Sequence, residues 1–190
     1  MIINNETTLE DFILYTDAFK VGDKKKKGLF DELEKLGRPQ MILEKQTPED
    51  LDGLTLKELI NLQNARTLQD MVFVSAEAIL GISKEELLKA KAFDVLRFMF
   101  FVMSELERIA DMFDKIKYKP SKVEIEAGIK SIDNGIFGMI DWYARRMGFV
   151  NHDFCAKTTK WIIVYQCMKI DNTSAEYEKN LHKILTKKKK

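Results

Sequence analysis

The sequence predicts an all-α protein, a compact multi-helix bundle with short helices at its N-terminal end. Three observations predict it. Apolar residues recur at steps of three and four along almost the whole chain. A Ser or Thr followed three residues later by Glu, the signature of a helix start, recurs several times. Breakers are scarce, with nine Gly and three Pro in 190 residues.

The elements follow in order. Leu9, Phe12, Ile13 and Phe19 mark a first helix, with Thr7 and Glu10 as its capping box. The stretch VGDKKKKG breaks it. A short helix through LFDELEKL is expected to stop at Gly37, just before Arg38-Pro39. TPEDL reads as a cap followed by proline at the first helical position. LTLKELINLQ offers Thr55 as cap and Glu58 three residues on, and its helix is expected to run to Leu80 and end at Gly81. Ser83 and Glu86 form another box, and Ser121 and Glu124 a third.

Residues 92–117 carry Leu96, Met99, Met103, Leu106, Ile109, Phe113 and Ile116 on one stripe. Phe98, Phe101 and Val102 cover the opposite side. A helix apolar on all sides should be central, or should bury its second face against another chain. VEIEAGI alternates like a strand, and Asn134-Gly135 could turn a hairpin. A longer helical spacing through Ile125, Ile129, Ile132, Ile136, Met139 or Ile140, Tyr143 and Met147 favours a helix that stops at Gly148. The remainder reads as two helices, with Trp161, Val164 or Tyr165, and Met168 packing in the first and Tyr177, Leu181 and Leu185 in the second. Residues 1–53 read as an N-terminal helical arm and residues 54–190 as the bundle domain. No internal repeat and no long linker is legible.

The bulk numbers exclude several classes. Hydrophobic residues make up 45% and charged residues 32%. A chain this long buries about 70% of its unfolded surface, so it needs no metal or disulfide staple. The net charge of +1 gives no global attraction to nucleic acid or acidic lipid. Lys24, Lys25, Lys26 and Lys27 form one lysine block, and Lys187, Lys188, Lys189 and Lys190 another. They are either a solvated loop and a frayed tail or electrostatic contacts, and the second case gives only non-specific, salt-sensitive attraction to DNA or RNA. Cys155 and Cys167 provide neither a disulfide framework nor zinc spacing. The N-terminus lacks the basic start and long apolar core of a signal peptide. The most apolar run, FMFFVM, is far short of the ~20 residues that span a bilayer.

One stretch, NGIFGMIDWYARRMGFVNHDFC, concentrates unusual residues. Gly135 and Gly138 would lie within a helix, where each costs roughly 1 kcal/mol relative to alanine. They point to close approach of another backbone, within the chain or across a subunit contact. No strand precedes them, so they are not a phosphate loop. Arg145 and Arg146 suit the negative end of a helix. Beside Trp142 they also make the best candidate for an exposed interaction patch. His152 and Asp153 are read as part of a helix start capped by Asn151 or Asp153, and catalysis would require Cys155 to be held on His152. The carboxylates Glu105, Asp111 and Asp114 are expected to pair with Arg108 and Lys115 at helical spacing. With two His in the chain, a metal site of nitrogen ligands is not expected. No enzyme, no cofactor and no small-molecule substrate is expected.

LTLKELINLQ and AILGISKEELLKAKAFDVLRFMFFV resemble small helical assembly proteins of tailed bacteriophages. AGIKSIDNGIFGMIDWYARRMGFVNHDF and WIIVYQCMKIDNTSAEYEKNL are similar to proteins from the structural gene blocks of gut phages, including crAss-like phages. The likeness covers residues 54–185 and brings no catalytic residues. It implies a virion component, repeated as a ring at the portal, neck or tail, or a tail assembly chaperone absent from the finished particle. Its partners would be other copies and other phage structural proteins, met through surfaces such as Phe98, Phe101 and the Gly135 to Arg146 stretch.

Overall fold

The computed structural model describes residues 6–19, 35–116, 120, 122–128 and 135–187. The fold is all-α with one small hairpin. Helices are α1 (Leu9–Phe19), α2 (Leu56–Gln63), α3 (Leu68–Ser75), α4 (Lys84–Leu87), α5 (Ala92–Lys115), α6 (Lys122–Glu126), α7 (Gly135–Met147), α8 (His152–Thr158) and α9 (Trp161–Lys187). A π-helical turn, Ala76–Leu80, extends α3. The hairpin pairs β1 (Met41–Ile42) with β2 (Lys45–Gln46), antiparallel, with Met41 opposite Gln46.

The chain divides into two interleaved units. The first is Met1–Leu51 with Ile60–Arg108, and the second is Asp52–Leu59 with Ile109–Lys190. The described part of the expected arm belongs with residues 60–108, because its backbone is hydrogen-bonded there. Helices α2 and α5 each run without interruption through a boundary between units.

Each unit is built around the same backbone bracket. In the first, Leu9 N donates to Ala90 O (2.9 Å) and Ala92 N donates to Thr7 O (2.9 Å). In the second, Leu56 N donates to Thr159 O (2.8 Å) and Trp161 N donates to Leu54 O (3.1 Å). Thr8 thus faces Lys91 as Thr55 faces Lys160. In both units the bracket joins a Thr-capped helix to the first turn of a long helix. Both are approached through a helix that ends in a left-handed glycine, Gly81 or Gly148, and a short capped helix, α4 or α8. This internal repeat is structural, and the residue identities hide it.

Local signals explain the helix starts. Thr55 Oγ1 accepts from Glu58 N (3.2 Å) while Glu58 Oε2 accepts from Thr55 N (2.7 Å). Ser83 and Glu86 form the same box. The cap of α1 is Thr8, not Thr7: its hydroxyl accepts from Asp11 N (3.2 Å). The Thr7 carbonyl is already engaged by Ala92. The helix expected over residues 55–80 is broken, because Thr67 caps a new start by accepting from Asp70 N (3.0 Å).

TPEDL does not start a helix. Thr47 is buried inside a strap, residues 36–51, that lies along α5. Its hydroxyl donates to the Pro39 carbonyl and accepts from Arg38 Nη1 (3.2 Å), and its peptide N–H donates to Gln40 O (3.0 Å). The hairpin turn at Leu43 and Glu44 has φ of 43° and 65°, a left-handed geometry with no glycine to announce it. Two side chains of α5 clasp the strap. Arg97 donates to the carbonyls of Leu36 (2.8 Å), Gly37 (2.9 Å) and Arg38 (3.2 Å). Glu105 Oε2 accepts from Leu51 N (3.0 Å), and both its oxygens are forked by Arg108 at 2.8 Å.

The apolar surround of α5 is used inside the chain. Val95, Leu96, Phe98, Met99, Val102 and Ile109 are buried, and Phe101 is half-buried. Phe98 is 1% exposed, so it is a core residue and not an interaction surface. In the second unit Trp161 and Val164 are fully buried, with Phe113 packed 6.0 Å from Trp161 and 5.5 Å from Tyr165 between ring centres.

The two C-terminal helices expected from the sequence are one, α9. Its DNTS stretch does not end the helix, because Asn172 turns its amide to the Ile116 carbonyl at the end of α5 and Thr173 Oγ1 bonds back to Lys169 O (2.8 Å). Tyr177, Leu181 and Leu185 do not pack; they are exposed. Ser121, and with it the expected cap before α6, lies outside the described residues, as do residues 129–134 of the expected long helix. Gly128 and Gly135 both have positive φ, and α7 begins only at Gly135.

Glu105→Ala is expected to destabilise the protein by about 1–3 kcal/mol, because it removes the carboxylate that accepts from the Leu51 N–H and is forked by Arg108. Denaturant titration checks this, and an unchanged midpoint would show that the strap is held without the clasp.

Candidate interaction surface

The stretch singled out by its composition forms α7 and α8. Three residues of α7 four apart, Phe137, Asp141 and Arg145, share one face, as the 3.6-residue period requires. His152 at the start of α8 meets this face. Its ring stacks on Phe137 with centres 5.4 Å apart, and its Nε2 donates to Asp141 Oδ1 at 2.9 Å. Arg145 Nε lies 2.9 Å from the other carboxylate oxygen. The hydrogen bond from His152, followed by that from Arg145, holds the Asp141 carboxyl below the ordinary carboxylate range.

Asn151 fixes the position of His152 by capping α8, its side chain accepting from Phe154 N (3.0 Å). Gly148, at φ 74°, ends α7 so that the chain can turn back. The turn brings Phe149 against Tyr143 (6.4 Å between ring centres) and Phe154 (6.1 Å). Around this aromatic row the exposed apolar residues are Phe137 (64%), Phe154 (56%) and Val150 (96%).

The structure places the sequence candidates as follows. Trp142 is half-buried and lies under Arg146, whose guanidinium carbon is 5.7 Å from its ring centre. Arg146 pairs with Asp171 of α9, which raises its already high pKa. Arg145 is the more exposed member of the Arg pair. Gly135 is not mid-helix but the first residue of α7, at φ +51°, and a Cβ built there meets nothing within 4 Å. No close backbone approach explains it; its left-handed φ does. Gly138 is half-buried within α7.

His152 and Asp153 do not act together, since Asp153 pairs with Lys157 (2.6 Å). Cys155 is fully buried with its Sγ 3.9 Å from Thr159 Oγ1, and both cysteines are free thiols. Lys24, Lys25, Lys26 and Lys27 lie outside the described residues, as do Lys188, Lys189 and Lys190. Lys187 is the last residue of α9.

Sequence reasoning missed Phe137, Asp141 and Phe154. The spacing of Phe137, Asp141 and Arg145 was a usable signal for one face. The partnership of Asp141 with His152 was not, because it depends on the chain reversal after Gly148. Sequence reasoning also missed the exposed half of α9. There Ile170 (58%), Tyr177 (66%), Leu181 (41%), Ile184 (54%) and Leu185 (53%) face solvent. A shallow groove of about 340 Å³ runs beside them, lined by Glu178, Leu181, His182, Leu185 and Thr186.

Among the described residues, no group of three or more His, Cys, Asp or Glu is placed to hold a metal ion. No helix of the described residues is long and apolar enough to cross a membrane.

Because the Asp141 carboxyl is held below the usual range, the stability it contributes is present above the unfolded carboxylate pKa of about 3.9. That contribution is lost as pH falls through the lowered folded value. Asp141→Asn is therefore expected to destabilise the protein at neutral pH and to make stability fall less steeply on acidification. Denaturation midpoints across that range check it, and parallel pH profiles for the two proteins would contradict it.

Comparison of the chain with protein-family models, with curated proteins and with solved structures finds no match.

Proposed function

We propose that this chain is a non-enzymatic assembly subunit of a tailed-phage particle, an oligomeric component of the portal, neck or tail that acts through protein–protein contacts. The observation that carries the reading is the aromatic surface of α7 and α8. Phe137, Val150 and Phe154 are exposed on short elements fixed by caps, by a stacked His and by two hydrogen bonds to one carboxylate. Scattered exposed apolar residues are ordinary, but aromatics grouped beside an exposed Arg have the composition of an interface anchor. The resemblance of residues 54–185 to phage assembly proteins supplies the setting.

The contact would be made by burying Phe137 and Phe154, with Arg145 and Asp141 at the polar rim. A stable contact removes about 800 Å² from each partner. In a ring, such contacts run head to tail, and closure depends on the rotation between neighbours.

Mass spectrometry of purified particles tests this. The chain should be present in a fixed, multiple copy number, and the double variant Phe137→Ser with Phe154→Ser should be incorporated at least tenfold less while keeping its helical circular dichroism. Absence of the wild-type chain from particles would sink the structural role and leave the tail assembly chaperone. Undiminished incorporation of the variant would remove α7 and α8 as the contact.

A further inference from the structure

The structural repeat gives the bare half of α9 a point of comparison. In the register that aligns Lys91 with Lys160, Arg97 of α5 corresponds to Gln166 of α9, Phe101 to Ile170 and Glu105 to Ser174. In the first unit this face is covered by the strap, whose peptide groups are satisfied by the charged clasps Arg97 and Glu105. In the second unit the same face is open: Gln166, Ile170 and Ser174 are all exposed. It also lacks both clasps. An extended segment laid there would have backbone groups without their partners, which is costly once they are covered. A helix satisfies its own backbone and needs no clasp.

The spacing of the exposed residues specifies a helix as well. Ile170, Ser174, Tyr177, Leu181 and Ile184 alternate steps of four and three, the seam of a two-stranded coiled coil. Leu185 widens it. Charge then specifies the occupant. From Asp171 to Glu178 the helix carries Asp171, Glu176 and Glu178 and no cation; from Lys179 to Lys187 it carries Lys179, Lys183 and Lys187 and no carboxylate. Within the chain, Asp171 is engaged by Arg146, and Lys179 lies 3.5 Å from Glu124. Two copies side by side in parallel would set acid on acid and lysine on lysine. Antiparallel, the acidic half of each copy lies on the basic half of the other.

We propose that α9 pairs antiparallel with α9 of a second copy about a two-fold axis near Lys179. In that register Tyr177 packs on Leu181 of the other copy and Ser174 on Ile184. The seam covers residues 170–187, about 26 Å of helix. It is short, so the dimer dissociates on dilution. Near the axis Glu178 meets its own copy, an exception to the charge match, while Lys179, on the axis, is paired with Glu124 of its own chain. This deepens the reading of the chain as an oligomeric subunit by naming a partner and a surface, and that surface is separate from α7 and α8.

Sedimentation velocity of the purified full chain, from low micromolar to millimolar concentration, should show a reversible monomer–dimer equilibrium. Tyr177→Glu and Leu181→Glu, both at exposed positions, should each weaken it at least tenfold with helicity and melting temperature retained. Glu178→Gln should tighten it. In a Cys167→Ser background, Ser174→Cys alone should not form a disulfide dimer, whereas a mixture of Ser174→Cys and Ile184→Cys chains should form the mixed disulfide. A chain that stays monomeric throughout overturns the proposal. So does a dimer indifferent to Tyr177→Glu and Leu181→Glu, or efficient self-crosslinking of Ser174→Cys, which would mean parallel pairing. The Phe137→Ser, Phe154→Ser double variant should dimerise normally, so failure of the α9 contact and failure of the assembly reading give different results.

Discussion

The first turn of each long helix exposes peptide N–H groups that nothing inside the helix can satisfy. In this chain the solution is the same twice. The first peptide of α5 and the first peptide of α9 each donate to a carbonyl just before a Thr-capped helix, and each receives a second bond back across the bracket. These four hydrogen bonds bring distant segments together at a fixed register. They are made where Ala92 and Trp161 are buried, so apolar packing and peptide satisfaction coincide. The strap, the caps and the turn from α7 to α8 are arranged around helices already anchored in this way.

Much of the fold was legible because it is local. The Thr55–Glu58 and Ser83–Glu86 boxes, the left-handed stops at Gly81 and Gly148 and the Asn151 cap all involve residues within a few positions of one another. Thr67 and Asp70 carried the same kind of signal inside a stretch whose apolar spacing suggested continuity. What could not be read depends on partners far along the chain. Thr47 looks like a helix cap until the Pro39 and Gln40 carbonyls are seen around it. The hairpin places Leu43 and Glu44 at positive φ, where glycine or asparagine would have given it away. The apolar surround of α5 posed a question with two answers, and Phe98 shows that its own chain supplies the cover. At the candidate surface, Arg145, Arg146 and His152 were found by type, and the Arg145–Asp141 pair is local, but the bonds of His152 to Asp141 and of Arg146 to Asp171 appear only after the chain has turned.

The comparison between the two units shows how one backbone plan accommodates different surfaces. Along α5 a polar clasp, Arg97 and Glu105, holds a strap with an irregular backbone. Along α9 the matching positions carry Gln166 and Ser174, and apolar side chains reach solvent. Few changes of residue type separate a helix face covered by the chain's own strap from one whose apolar side chains reach solvent. The aromatic row on α7 and α8 differs from both. It is held by short-range devices, a cap, a stack and a shared carboxylate, without being covered.

The interleaved path through the two units has a consequence for the protein's modularity. Because α2 and α5 pass unbroken from one unit to the other, there is no loop at which a single cut would release an intact half. Truncation to one unit requires breaking both α2 and α5 in mid-course, although the third boundary, between Leu51 and Asp52, lies outside any helix.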